Sequence, residues 1–126
     1  MASALFGLVL VVHGLIHLTW VAPKPDDPTY PFRLTQSAIF KRADPKKLAG
    51  IGAALVLLST AAFLMAGFGV WGVPGLAEIW RPAAIAGSVI SIVVVATFWH
   101  RWFLGGPILD ALIIAAAIAG WPVPWV

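Results

Sequence analysis

Charged residues avoid long stretches of this chain, and the gaps define its elements. Residues 1–23 contain no Asp, Glu, Lys or Arg, and neither do residues 48–77 or 82–100. Beyond Arg101 the one formal charge is Asp110. A helix needs ~20 predominantly apolar residues to cross the hydrocarbon core of a bilayer. The pattern therefore predicts four spans, over residues 4–22, 48–72, 82–102 and 104–121. The ten prolines fall outside these spans or at their ends, where a missing N–H strands no carbonyl in lipid. Asp44 as N-cap and Pro45 at the first helical position open the second span, and Gly72 with Pro74 closes it.

The expected fold class is all-α: one integral membrane domain over residues 1–126, a four-helix up-down bundle. Its one sizeable connection is the loop 23–47. The prolines of residues 23–31 should hold that segment extended. Leu34 to Arg42 is expected to form a short amphipathic turn, with Leu34, Ala38 and Ile39 toward lipid. The first span has no basic residues ahead of it, and Pro23-Lys24-Pro25 suits signal cleavage poorly, so it is read as retained.

Lysine and arginine set the expected orientation. Lys24, Arg33, Lys41, Arg42, Lys46 and Lys47 lie in the first loop and Arg101 in the third connection, against Arg81 alone on the other side. Loops one and three are therefore expected in the cytoplasm, with both termini outside and the chain in a cell inner membrane. The tryptophans agree, because Trp20, Trp99 and Trp102 fall at one set of span ends and Trp71, Trp80, Trp121 and Trp125 at the other. Close helix contacts are expected along small residues: Ala49 and Ala53; Ala83, Gly87 and Ser91; and Ala111, Ala115 and Ala119.

Composition narrows the function classes. Hydrophobic residues are 61% of the chain and charged residues 10%, more apolar than a soluble domain of 126 residues can bury. The net charge of +3 comes from one loop and forms no basic stripe, which argues against a nucleic-acid partner. The absence of cysteine excludes disulfides, thiolate metal sites and thiol redox chemistry.

Polar side chains within the spans carry the chemistry, because burying them in a membrane is costly. His13 and His17 are four residues apart and share one face of the first span, His17 about 6 Å nearer the loop at ~1.5 Å per residue. Three readings stand: a shared metal, although no further ligand is apparent; axial ligation of haem b, with His100 as partner; or neutral imidazoles hydrogen-bonding across helices. Asp110, the one acid within a span, matches His17 in depth and would pair with it as a proton relay or ligand anchor. The alternative puts it in the first turn of a helix opened by Pro107, facing the dipole with Arg101 or His100 as counter-charge. Phe98-Trp99-His100-Arg101-Trp102 reads as an interfacial anchor whose Arg101 and His100 suit a lipid headgroup phosphate.

Val12-His13-Gly14-Leu15-Ile16-His17-Leu18, with Trp99-His100, Gly106, Asp110 and Gly120-Trp121-Pro122, resembles small, uncharacterised four-span bacterial membrane proteins. More distantly, size and topology are similar to DoxX-like proteins, some of them linked to quinone-dependent respiration. The resemblance implies that His13, His17 and Asp110 belong to a recurring pattern.

The preferred expectation is a small non-catalytic membrane subunit or accessory protein, in contact with lipid and with copies of itself or other subunits. Its polar cluster of His13, His17 and Asp110 would pack helices or touch a lipid, a quinone or a proton path. The alternatives are a redox protein holding haem b or quinone at His13, His17 or His100, a small proton-coupled transporter or channel, and a lipid- or isoprenoid-modifying enzyme.

Overall fold

A computed structural model describes residues 1–100 and 103–123. Four helices run up and down: α1, Ala2–Ile16; α2, Pro45–Val70; α3, Trp80–Thr97; and α4, Gly105–Ala119. A single 3₁₀ turn, His17–Trp20, extends α1. Three of these segments, Ala2–Trp20, Pro45–Val70 and Trp80–Thr97, are long and apolar enough to cross a membrane. The fourth, α4, is apolar but has 15 residues, about 22 Å at ~1.5 Å per residue, against a core of about 30 Å. The third span thus ends at Thr97 rather than reaching residue 102.

Local chemistry explains the helix ends. The Asp44 carboxylate accepts the Lys46 N–H at 3.1 Å with Pro45 in the first turn, as expected. At the far end of α2, Gly72 takes φ +84°, and its N–H bonds Gly69 O at 2.9 Å while Val73 N–H bonds Phe68 O at 3.1 Å. This pair of reverse bonds satisfies carbonyls that would otherwise end the helix unpaired. Arg81, near the start of α3, donates from Nε to Ala117 O and from Nη2 to Ile118 O, capping the end of α4.

Helix packing is extensive between α1 and α2, α2 and α3, and α3 and α4. The chain therefore curls as a row, and α1 and α4 meet as the loosest neighbours. Two apolar clusters fill the bundle. One, toward the termini, centres on Phe6, Leu10, Phe63, Trp80 and Ile113; the other, toward the long loop, centres on Trp20, Leu34, Val56, Val94, Phe98 and Phe103.

The long loop departs from expectation. Residues 33–43 form turns and bends but no helix. Leu34 points into the bundle, not toward lipid, because Gly52 leaves room for it: a Cβ there would lie 3.0 Å from Leu34 Cδ2. Ala38 and Ile39 are exposed. Ser37 Oγ donates to Thr97 O at 2.6 Å and ties the loop to the end of α3.

The small-residue stripes divide. Gly87 and Ser91 are buried and Ala49 and Ala53 pack against the loop-side cluster. Ala111, Ala115 and Ala119, by contrast, face outward, and α4 buries Asp110, Ile113 and Ala117 instead. Trp71, Trp99 and Trp121 are exposed at helix ends, whereas Trp20 and Trp80 are buried plugs of the bundle. Trp102 and Trp125 lie outside the described residues.

Candidate functional site

Between the two apolar clusters lies one polar layer, built from α1, α3 and α4. His13 Nε2 lies 2.8 Å from Asp110 Oδ1. Ser91 Oγ donates to Asp110 Oδ2 at 2.6 Å and itself lies 2.8 Å from His17 Nε2. His17 Nδ1 donates to His13 O at 2.8 Å. All four side chains are buried, Asp110 and Ser91 completely. Hydrogen bonds of this kind are what allow polar groups at membrane depth at all.

The last of these bonds also explains the kink in helix type. In a continuous α-helix the carbonyl of His13 would receive the backbone N–H of His17. The His17 ring takes that carbonyl instead, and the His17 N–H turns to Gly14 O. A side chain competing with the backbone for a carbonyl favours the tighter 3₁₀ winding that follows, His17–Trp20.

Phe63 of α2 forms the floor. Its ring meets His13 edge-on at 4.8 Å and lies 5.7 Å from the His17 ring. Two glycines make this approach possible. A Cβ on Gly14 would come within 2.8 Å of Phe63 Cβ, and one on Gly87 within 3.3 Å of its ring. Thr60 Oγ1 donates to Gly14 O at 3.0 Å and Ser59 Oγ to Gly87 O at 2.9 Å, so α2 grips both neighbours through backbone carbonyls.

On the α1–α4 side the layer opens onto space. A cavity of about 250 Å³ is walled by His13, His17, Ser91 and Leu109, with Trp20, Phe32 and Phe103 toward the loop. These three rings stand 5.0–5.4 Å apart and close that end. A second, almost wholly apolar hollow of about 280 Å³ runs along Leu8, Val9 and Val12. His13, Ile16 and Leu109 border both spaces. His13 Nδ1 makes no hydrogen bond within the protein among the described residues.

The structure thus brings His13, His17 and Asp110 together. Asp110 touches His13 directly and reaches His17 only through Ser91, so the expected Asp110–His17 pair is indirect. Asp110 sits in the second turn of α4, beyond the reach of a first-turn capping role. His100 belongs to a different place: it lines a polar cavity of about 470 Å³ with Tyr30, Arg33 and Ser37 of the loop, and its ring contacts Phe103 at 5.6 Å. His17 does not line that cavity, and both His17 nitrogens are already engaged in hydrogen bonds. Arg101, expected with His100 at a lipid headgroup, lies outside the described residues. Among the described residues no cluster of His, Cys, Asp and Glu is large enough to hold a metal ion.

Ser91 is the member that the sequence offers both as a small packing residue and as one of several intramembrane hydroxyls (Ser59, Thr60, Ser88, Ser91 and Thr97), with nothing to link it to Asp110. Depth would have found it. It lies six residues before α3 ends at Thr97, and Asp110 six residues after Leu104, the N-cap of α4. Comparison with family models, with curated proteins and with solved structures finds no match to this chain.

Proposed function

We propose that this small polytopic membrane protein binds a lipid-soluble molecule with a polar head, of lipid or quinone type, between α1 and α4. The polar layer would meet the head and the apolar hollow along Leu8, Val9 and Val12 would take the tail. One observation carries the reading: the buried His13–Asp110–Ser91–His17 chain presents His13, Ser91 and His17 to a cavity that shares His13, Ile16 and Leu109 as border residues with an apolar hollow. Ligand pockets are typically apolar with a few placed polar groups, and Trp20, Phe32 and Phe103 suit a planar or branched head.

A role as subunit or accessory protein fits the same features, an apolar bundle with one buried polar layer. A transporter would need polar groups leading onward from the cluster, and apolar clusters bound it toward both ends. We take the lysine-rich end as cytoplasmic on the distribution of Lys and Arg.

The test is extraction of the full chain, purified in detergent from its membrane, with mass-spectrometric counting of lipids and quinones per chain. The expected result is one class of molecule enriched over the bulk membrane and depleted in Leu109→Trp, whose indole fills the border between the two spaces. Equal content in the two proteins, or bulk lipid composition in both, would overturn the reading.

A further inference from the structure

Counting protons along the polar layer leads to a conclusion that needs no ligand. Four contacts link the cluster, and each requires one hydrogen. A carbonyl only accepts, so His17 Nδ1 carries a proton toward His13 O. A serine hydroxyl has one hydrogen, and Ser91 faces two partners, Asp110 Oδ2 at 2.6 Å and His17 Nε2 at 2.8 Å. When Ser91 donates to the carboxylate, His17 Nε2 must supply the hydrogen of the other contact, and His17 is an imidazolium. When Ser91 donates to His17, the hydrogen on the 2.6 Å contact must come from Asp110 itself, and both residues are neutral. His13 Nε2–H donates to Asp110 Oδ1 in either case.

We propose that His17 and Asp110 exchange a proton through the Ser91 hydroxyl, so that the layer is an intramembrane proton relay with two interconverting charge states. In the forward step the Asp110 Oδ2–H bond breaks and that proton joins Ser91 Oγ. At the same time the Ser91 hydroxyl proton passes to His17 Nε2 and forms an N–H bond. Ser91 ends as it began, with one hydrogen, now pointing at Asp110. No other reactant is needed.

With His13 carrying its proton on Nε2 alone, both states satisfy all four contacts and carry no net charge. This matters because an uncompensated charge at membrane depth is expensive, whereas moving charge within a neutral set is not. The groups facing the cluster leave the exchange to these residues. The first helix with its 3₁₀ turn contributes His13 and His17, α4 contributes Asp110, α3 contributes the Ser91 hydroxyl, and α2 presents Phe63 and Thr60, which do not titrate. The two states differ in what they offer the cavity. With Asp110 ionised, His13, which lines the cavity, donates to a full carboxylate and its Nδ1 becomes a stronger acceptor.

Two spectroscopic signals on the detergent-solubilised full chain test the relay. Nitrogen NMR of the imidazole rings, with His17 assigned by its loss in His17→Gln, reads the imidazolium. Infrared absorption of the protonated carboxyl, assigned by its loss in Asp110→Asn, reads neutral Asp110. The expected result is fractional population of both forms, with imidazolium rising as protonated carboxyl falls when temperature changes. Ser91→Ala should abolish that coupled change. Should Ser91→Ala not fold, Asp110→Asn still decides: its amide donates to Ser91 and fixes His17 as the neutral Nδ1–H form. Either signal constant across temperature in the parent chain, coupling that persists in Ser91→Ala, or imidazolium at His17 in Asp110→Asn would overturn the proposal.

Discussion

The two seams flanking the polar layer are both built from apolar helices and behave in opposite ways. Between α2 and α3 the backbones close on Phe63, with Gly87 giving the space and Ser59 donating across to its carbonyl at 2.9 Å. Between α1 and α4 the ends are pinned by ring contacts, Phe6 to Trp121 at 5.4 Å and Trp20 to Phe103 at 5.0 Å, and the middle stands open. There the His13–Asp110 bond at 2.8 Å bridges the gap. In lipid no water pushes helices together, so a seam closes only where small residues allow dense contact. A glycine or alanine face was available on α4, and it points outward. The open seam is the consequence of turning Asp110 inward.

The comparison can be broken at several points. The largest effect is expected at the sealed side. Phe63→Ala removes a ring that touches both histidines and should cost about 3–5 kcal/mol in a denaturant titration in mixed micelles. Next, Gly14→Leu forces a side chain against Phe63 Cβ and Thr60 O, at 2.8 and 3.3 Å from the added Cβ. A loss of about 1–3 kcal/mol in the same titration is expected from overpacking.

At the open seam, Asp110→Ala leaves His13 Nε2–H without its acceptor and should cost about 1–3 kcal/mol. Asp110→Asn keeps an acceptor for His13 and a donor for Ser91, and should recover most of that loss. Equal stability of the two variants would show that the bridging bond contributes nothing. Leu109→Trp, which fills existing space, should shift stability by about 0.5 kcal/mol or less while removing the bound molecule. A destabilisation as large as that of Gly14→Leu would mean that the seam is already closed.

The smallest effect is in the loop that caps the open seam. The Asp27 carboxylate accepts from Thr29 N at 2.9 Å and Thr29 Oγ1 at 2.8 Å. These bonds hold its pKa below the ordinary 3.8. A carboxylate with a lowered folded value adds its stabilisation above the ordinary value and loses it as pH falls through the lowered one. The Thr29 amide resonance should therefore titrate with a midpoint below 3.8, and Asp27→Asn should remove the titration. A midpoint above 3.8 would mean the turn is not formed in solution.

Much of the bundle was legible in the sequence because its signals are local. Runs without charge gave the helices, and Asp44-Pro45 gave the start of α2. The candidate site was half legible. His13, His17 and Asp110 announce themselves by the cost of burying them, which any sequence reading can weigh. Ser91 does not, because a serine on an alanine-rich helix is equally good as a small packing residue. The loop shows the same limit: Leu34 looks amphipathic beside Ala38 and Ile39, and its inward turn depends on the room beside Gly52, eighteen residues along the chain.

The sequence by itself determined how many apolar helices form and that His13, His17 and Asp110 must find partners inside. Only the tertiary structure decided who those partners are. Adjacent residues on a helix point about 100° apart, so α4 could bury either Asp110 or Ala111, and the buried choice is met by a serine and a histidine on other helices. Periodicity within one segment carries no information about the rotation of its neighbour.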